Sequence, residues 1–183
     1  MRARPTAPCP LCRLHAHADT SLHTMPPLAR RDVRSLVRKL GAHARPSQQK
    51  EALETITQLS LDVYQDRDSL AAIAAAGAIP PLVLLLGPGS TAEGQGNAAN
   101  ALANLACNAE NKIMIAAAGA IHPLVLLLGP GFSADVRGYA AGALCILAHN
   151  ADNQVAIAGA GAVPPLVQML GPGSTAGMQE EAA

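Results

Sequence analysis

Apolar and polar residues follow a helical spacing along most of this chain, and the pattern returns every 42 residues. The segments 74–89 (AAAGAIPPLVLLLGPG) and 116–131 (AAAGAIHPLVLLLGPG) differ only at Pro80 and His122, and a third copy occupies 158–173. A fixed period of this length is typical of solenoid proteins, in which each repeat is one supersecondary unit stacked on the next. The pattern therefore predicts a stack of repeats that presents an extended surface.

Each repeat is predicted to contain three helices, whose ends are marked by asparagine, glycine and proline. In one unit, Asn108 precedes the first helix at an N-cap position, and Gly119 follows it as a C′ glycine. The second helix begins near a proline pair and ends at a Gly-Pro-Gly sequence. Because it is apolar nearly all round, we expect it to be buried. Leu84 and Leu126 occupy the same position of this helix in successive repeats. The sequence leaves two interpretations open for them: a small exposed apolar patch, or burial against a neighbouring unit.

The third helix is the longest of the three, and its two faces differ in polarity. It is predicted to run from Ala92 to Cys107 in one unit and from Ala134 to His149 in the next. One face carries Ala98, Leu102 and Leu105 at i, i+4, i+7 spacing. The opposite face carries Asn97, Asn100 and Asn104.

The repeat template extends upstream once four extra residues are allowed before Gly77, so the predicted architecture is all-α with about three and a half units. These units span about 32–60, 67–107, 110–149 and 152–183. The last unit is incomplete, which leaves three explanations open: a longer protein, stacking against another chain, or an irregular tail that covers the end. The apolar residues that this unit would expose are Val163, Leu166, Val167 and Leu170.

Composition favours packed helices over a sheet sandwich, since half of the residues are apolar and only 2% are aromatic. The net charge is zero but unevenly distributed. Residues 1–45 hold nine Arg and Lys against two Asp, whereas residues 46–183 hold four against eleven Asp and Glu. This asymmetry predicts a basic, disordered tail over residues 1–30 and an acidic body. The acidic body favours a basic partner, although the same charges also serve as an ordinary solubilising surface.

The tail contains Cys9, Cys12, His15 and His17, a weak candidate for a zinc site. Their spacing is too tight for the usual zinc finger, so a disordered tail is the preferred interpretation and no cofactor is expected. Because residues 1–30 are also rich in arginine, an organelle transit peptide is the alternative to a cytoplasmic or nuclear location.

The order of motifs resembles one known family. The string GAIPPLVxLL, a turn, and then AAxALxNLAxNxENK resemble the armadillo repeat over roughly residues 32–178. The phrases NAENK and NADNQ are most similar to the armadillo arrays of vacuolar-inheritance scaffolds and plant-type U-box ubiquitin ligases. The resemblance implies a right-handed superhelix, an α-solenoid whose third helices line a concave groove that binds extended peptides or partner proteins.

The resemblance also implies which residues line this groove. Importin-α, an armadillo protein, binds basic peptides through Trp and Asn on its third helices, but this chain has no Trp, and only Asn104 stands at a matching Asn position. Without aromatic walls, recognition of nuclear signals is disfavoured. The implied groove residues are Lys50, Glu54, Gln58, Asn97, Asn100, Asn104, Gly138, Tyr139, Gly142 and Ile146.

The expected function is a non-enzymatic scaffold for protein–protein interaction, because no catalytic grouping of residues stands out. The alternatives are the substrate-recognition part of an armadillo-type ubiquitin ligase and an importin-α-like transport adaptor. No nucleic-acid partner is expected. No membrane span is expected either, since the most apolar run, Ile113–Leu128, is interrupted and short. Self-association through the incomplete last unit is a further expectation.

Overall fold

The computed structural model describes residues 30–41, 44–62 and 67–170, and all regular structure within these ranges is α-helical. The prediction of an all-α fold is therefore confirmed. In chain order the helices are α1 (Arg30–Leu40), α2 (Pro46–Asp62), α3 (Arg67–Ala75), α4 (Ile79–Leu85), α5 (Ala92–Leu105), α6 (Ala109–Ala117), α7 (Ile121–Leu127), α8 (Ala134–Leu147), α9 (Ala151–Gly159) and α10 (Val163–Met169).

Asparagine N-caps begin the first helix of successive repeats. The Asn108 side chain accepts hydrogen bonds from the backbone N–H groups of Glu110 and Asn111, at 2.9 and 3.1 Å. Asn150 accepts in the same way from Asn153, at 3.1 Å. Each cap satisfies N–H groups that have no partner inside the helix. The N-cap predicted at Asn108 is thus confirmed.

Glycines with left-handed backbone end the first helices. Gly77, Gly119 and Gly161 have φ angles of 89°, 82° and 81°, at the same phase of the repeat. A side chain is strained in this backbone region, and glycine is not. The glycine stop predicted from the period is therefore present in three repeats, and it turns the chain from the first helix into the second.

The third helices end two residues earlier than the sequence predicts. α5 stops at Leu105 and α8 stops at Leu147, whereas Cys107 and His149 lie in the turns that follow. The reason is the next N-cap, because Asn108 has extended backbone with ψ 134°. A helix cannot continue into an extended residue, so the two residues before it form the turn.

The third helices stack side by side and form the central layer of the solenoid. α5 packs against both α2 and α8, and the second helices α4 and α7 pack on α5 and α8 respectively. The fully buried side chains recur with the repeat, as Leu82 and Leu124 do on the second helices. Each such leucine contributes about 1.5–3 kcal/mol by leaving water. The core is therefore continuous from repeat to repeat.

One buried asparagine in each of the first helices α6 and α9 joins that helix to its neighbours. The Asn111 Nδ2 donates to the carbonyls of Leu70 and Leu105, at 3.2 and 3.0 Å. Asn153, 42 residues later, donates to Lys112 and Leu147 at 3.4 and 3.2 Å. One acceptor of each pair lies in the first helix of the preceding repeat, and the other lies at the end of a third helix. These amides therefore fix the stacking of one repeat on the next.

Glutamines tie the third helices to the ends of the second helices. The Gln95 Nε2 donates to the Gly87 carbonyl at 2.9 Å, and the Gln49 Nε2 donates to the Gly41 carbonyl at 3.0 Å. Both bonds satisfy a carbonyl just past a helix end, which has no partner within the helix. The glutamine at this position of the third helix therefore has a structural role in two successive repeats.

The second helices are buried on one side only, which corrects the expectation that they are buried all round. Leu84 is 72% exposed and Leu126 is 59% exposed, while Leu82 is fully buried. Successive helical residues are rotated by about 100°, so Leu84 points away from the side that Leu82 presents to α5. Of the two interpretations that the sequence left open, exposure is the one observed.

The last described helix also exposes apolar residues. Val163 and Val167 of α10 are 57% and 60% exposed. The equivalent residues of α7, Ile121 and Val125, are buried at 7% and 9%. In that preceding repeat, α7 packs against α8. In that repeat, the third helix α8 therefore packs against the second helix that carries these positions.

Across the described ranges, no single helix is long and apolar enough to cross a membrane. α6 and α7 satisfy the length and hydropathy test only when taken together, and they are bent by 84° at the break between them.

Candidate functional site

The predicted groove residues on α2 and α5 form the polar part of one surface. Lys50, Glu54 and Gln58 are exposed on α2, at successive i, i+4 positions. Asn97 and Asn100 of the neighbouring helix α5 are partly exposed. Since α2 and α5 pack side by side, this stretch of the predicted groove is a contiguous polar surface.

The predicted residues nearer the carboxyl ends of α5 and α8 are buried. Asn104 is 7% exposed and Ile146 is 6% exposed, and Gly142 is also buried. On α8, Gly138 is partly exposed, and the Tyr139 ring is 40% exposed. The accessible part of the predicted groove is therefore formed by α2, by α5 as far as Asn100, and by α8 as far as Tyr139.

An ion pair joins α2 to α5 across this surface. The Lys50 Nζ donates to the Glu93 Oε1 at 2.7 Å and lies 3.9 Å from the Glu54 Oε1. The hydrogen bond that Lys50 donates to Glu93, and next the negative charge of Glu93, raises the pKa of Lys50 above its ordinary value.

A cavity of 330 Å³ opens beside this ion pair, between the amino-terminal halves of α2 and α5. Leu53 and Leu85 line it, and both side chains are buried. Its polar lining includes Lys50, Glu93 and Asn97. Residues 89–91, from the turn before α5, complete the wall. The cavity thus combines an apolar floor with a charged and amide-bearing rim.

Between α5 and α8, side chains of α8 pack closely on the α5 backbone at Gly96. A Cβ atom added at Gly96 would lie 3.1 Å from the Val136 Cγ2 and 3.4 Å from the Tyr139 Cδ2. Val136 and Tyr139 occupy the repeat positions that Gly94 and Asn97 hold one unit earlier. The larger side chains of α8 therefore contact α5 at this step, whereas Gly94 and Asn97 line the cavity at the step before.

Glu93 is the site residue that sequence reasoning missed. It lies four residues before Asn97, on the same face of α5, so the helical period places it on the groove. Its pairing with Lys50 joins residues 43 positions apart and depends on how α2 packs against α5. A helical projection of α5 therefore identifies the face on which Glu93 lies, but it does not identify Lys50 as its partner.

The part of the chain that the structure describes contains no group of three or more His, Cys, Asp or Glu placed to hold a metal ion. The weak zinc candidate, Cys9, Cys12, His15 and His17, lies outside the described residues. The predicted basic tail, apart from Arg30, lies outside them as well. Neither Cys107 nor Cys145 forms a disulfide.

Comparisons with known proteins agree with this architecture. A family model described as the Armadillo/beta-catenin-like repeat matches residues 66–107 and 150–183. One engineered protein from a structural genomics project is 33% identical, with a TM-score of 0.74 over 82% of this chain and 59% of its own. A search of the curated proteins found no match.

Two similar structures carry the family name in their descriptions. One, from computationally designed armadillo repeat proteins for modular peptide recognition, is 29% identical with a TM-score of 0.73, over 82% of this chain and 61% of its own. The other, a designed armadillo repeat protein in complex with the peptide (KR)4, is 25% identical with a TM-score of 0.60, over 82% and 79%. The chain spans about three fifths of the length of the first two engineered structures. The repeat-model match identifies armadillo repeats at residues 66–107 and 150–183, and the similar structures share the all-helical solenoid fold of this chain.

Proposed function

We propose that this chain is a non-enzymatic interaction module that binds an extended segment of a partner protein across α2, α5 and α8. The observation that supports this proposal is the polar surface on the stacked third helices. There, Asn97 and Asn100 are partly exposed and make no side-chain hydrogen bond to another described residue. Their amide groups are therefore available to a ligand.

The chemistry of these side chains suits an extended backbone. An asparagine amide offers both donors and an acceptor, so it satisfies the N–H and C=O groups that a peptide leaves unpaired. Neighbouring helices pack about 8–10 Å apart, and an extended chain advances about 3.3 Å per residue. A segment crossing the helices thus passes about two or three residues per repeat.

The partner segment is proposed to be basic. Glu54 and Glu93 are both exposed on this surface, and residues 46–183 carry an excess of acidic over basic side chains. Opposite charge on the partner would steer its approach and favour its correct placement. The similar designed protein whose description names a peptide is in complex with (KR)4, a basic sequence.

The importin-α-like alternative is not proposed. The chain has no Trp, and Asn104, the one residue at a matching Asn position, is only 7% exposed. The aromatic and amide contacts that the resemblance implies for nuclear signals are therefore not presented by this surface.

A random peptide display selection against the full chain tests the proposed function. Selected peptides are expected to bind Asn97→Ala/Asn100→Ala at least about tenfold more weakly, because two hydrogen-bonding amides are lost. Gln168→Ala is the matched control, since Gln168 is an exposed amide on α10, away from the third helices. Failure to select any peptide, or peptides equally sensitive to both variants, would overturn the proposal.

A further inference from the structure

The apolar face that α10 leaves exposed is followed directly by residues whose sequence repeats an earlier part of the chain. Nine of the thirteen residues 171–183 are identical to those at 87–99, which lead from the end of α4 into α5. We propose that the carboxyl-terminal segment, residues 174–183, docks on α8 and α10 of its own chain. Arg137 of α8 anchors this segment by pairing with Glu181.

The residues that seat α5 recur in the carboxyl-terminal segment. The Thr91 Oγ1 accepts a hydrogen bond from the Gly94 backbone N–H at 3.1 Å, and the Gln95 Nε2 donates to the carbonyl just past α4 at 2.9 Å. Thr175 and Gln179 stand at the positions of Thr91 and Gln95, two repeats later. The segment therefore carries both the N-cap and the amide that tie a third helix to the second helix before it.

α8 carries a glycine at the position where a third helix receives its neighbour. A Cβ atom added at Gly96 of α5 would lie 3.1 Å from the Val136 Cγ2 and 3.4 Å from the Tyr139 Cδ2, both on α8. Gly138 holds the same repeat position on α8 and is partly exposed. The α8 backbone at Gly138 can therefore be approached as closely as the α5 backbone at Gly96.

The register of the repeat identifies the two side chains that approach Gly138. Met178 and Glu181 stand 42 residues after Val136 and Tyr139, the residues that contact the preceding third helix. Methionine is unbranched and flexible, so Met178 adapts to the gap beside a glycine. The same register places Glu181 on the side of the segment that faces α8.

Arg137 provides the cation for Glu181. Its Nε is buried and has no hydrogen-bond partner among the residues that the structure describes. Gln49 and Gln95 hold this repeat position earlier in the chain, and each donates to a carbonyl just past a helix end. Burying a charged donor without an acceptor is costly, so the position is incomplete without an anion. Since Arg137 directly precedes Gly138, a carboxylate that packs beside this glycine lies within reach of the guanidinium.

The charge of the segment is complementary to Arg137. Of residues 153–183, only Glu180 and Glu181 are charged, so the segment brings negative charge and no competing cation. A guanidinium and a carboxylate form charge-assisted hydrogen bonds, which are stronger than bonds between neutral groups. Arg137 therefore favours this segment over an uncharged or basic one.

The segment and a second copy of the chain compete for the same face of α10. Val163 and Val167 are exposed there, whereas the equivalent residues of α7 are buried in the repeat where α7 packs against α8. The segment covers part of this apolar area from within the chain, and its release leaves the area to another molecule. Weakening the contact between Arg137 and Glu181 should therefore increase self-association.

A single tryptophan reports whether the segment docks, because the chain has no other. In Met178→Trp of the full chain, the emission maximum should lie at a shorter wavelength than in Gly177→Trp. Position 178 is expected to face α8, whereas position 177 corresponds to Asp135, which is exposed. Equal emission maxima in the two variants would overturn the proposal. A shift that appears only as the protein concentration rises would assign the face to a second copy and overturn it as well.

The anchor is tested in the Met178→Trp background. Arg137→Gln and Glu181→Gln should each move the emission maximum to a longer wavelength, and the double variant should move it no further than either single change. Glu180→Gln is the matched control, because Glu180 stands at the repeat position of Gly138, on the side away from the preceding third helix. Equal effects of Glu180→Gln and Glu181→Gln would overturn the role of Arg137.

Hydrogen–deuterium exchange of the full chain tests the same contact without a bulky residue at position 178. The amides of residues 178–183 should exchange about tenfold faster in Glu181→Gln than in the wild type, because the docked state is less populated. Glu180→Gln should exchange as the wild type does. Identical exchange in Glu181→Gln and the wild type would overturn the proposal, even where the tryptophan variant fails to fold.

Discussion

Asparagine has two distinct roles in this molecule, and burial decides between them. Asn111 is 1% exposed and donates to two backbone carbonyls, whereas Asn100 is partly exposed and donates to no described residue. A buried carbonyl that loses its donor keeps the full cost of desolvation, while an exposed one returns to water. The first asparagine therefore belongs to the fold and the second is available for binding.

Asn111→Ala is expected to destabilise the protein by about 1–3 kcal/mol, because the Leu70 and Leu105 carbonyls lose a buried donor. Asn100→Ala, the matched control, should change stability by less than about 0.5 kcal/mol. Urea unfolding followed by circular dichroism measures both. Equal effects of the two substitutions would show that Asn111 does not join the repeats.

Gly119 and Gly159 isolate the effect of backbone conformation. A Cβ atom at either position would meet no heavy atom within 4 Å, so steric contact does not distinguish them. Gly119 has φ 82°, and Gly119→Ala should cost about 1–2 kcal/mol. Gly159 lies in the last turn of α9, and Gly159→Ala should stabilise by about 0.5 kcal/mol. Thermal unfolding of both variants tests this prediction: the melting temperature should fall for Gly119→Ala and rise for Gly159→Ala. A shift of both melting temperatures in the same direction would contradict it.

Local chemistry explains which residues could be predicted from the sequence. Asn108 and Gly119 act within a few residues of their own positions, so caps and stops follow from the chain itself. The role of Asn111 could not be predicted in this way, since its acceptor Leu70 lies 41 residues earlier. The Lys50–Glu93 pair likewise depends on the packing of α2 on α5.

At the scale of helices, the contact between α5 and α8 depends on a residue without a side chain. Gly96 lets Val136 and Tyr139 of α8 approach the α5 backbone closely. The helical pattern predicted both helices and their apolar faces. It did not predict that α8 would pack so closely on α5 at Gly96, because this contact joins residues of two different repeats.

Gly96→Ala and Val136→Ala should show a favourable coupling in a double-mutant cycle. The new Cβ lies 3.1 Å from the Val136 Cγ2, so Gly96→Ala overpacks the contact. In the Val136→Ala background this conflict is removed, and the same substitution should be more favourable by about 1 kcal/mol. Urea unfolding of the four proteins gives the coupling. Strict additivity would mean that α5 and α8 are not in close contact at this point.

At the scale of the whole molecule, the stability of a repeat stack is a sum over units and the interfaces between them. Val163 and Val167 of α10 are exposed, although the equivalent residues of α7 are buried. Residues 171–183 lie outside the described residues. The exposed face of α10 is therefore a place where a second copy of the chain can reduce the exposed apolar area.

Self-association of the full chain is the corresponding prediction. Sedimentation velocity should show the weight-average mass rising with concentration, and Val163→Ser/Val167→Ser should reduce that rise because the apolar contact is weakened. Leu84→Ser is the control, since Leu84 is an exposed leucine on α4 in another repeat. A single monomeric species at all concentrations would rule out this use of the α10 face.

The central claim is that the stacked third helices form the binding surface, and hydrogen–deuterium exchange of the full chain with and without a selected peptide tests it most directly. The account predicts slower exchange in α2, in α5 as far as Asn100 and in α8 as far as Tyr139, with little change in α6 and α9. Protection confined to the first and second helices, with α2, α5 and α8 unaffected, would contradict it.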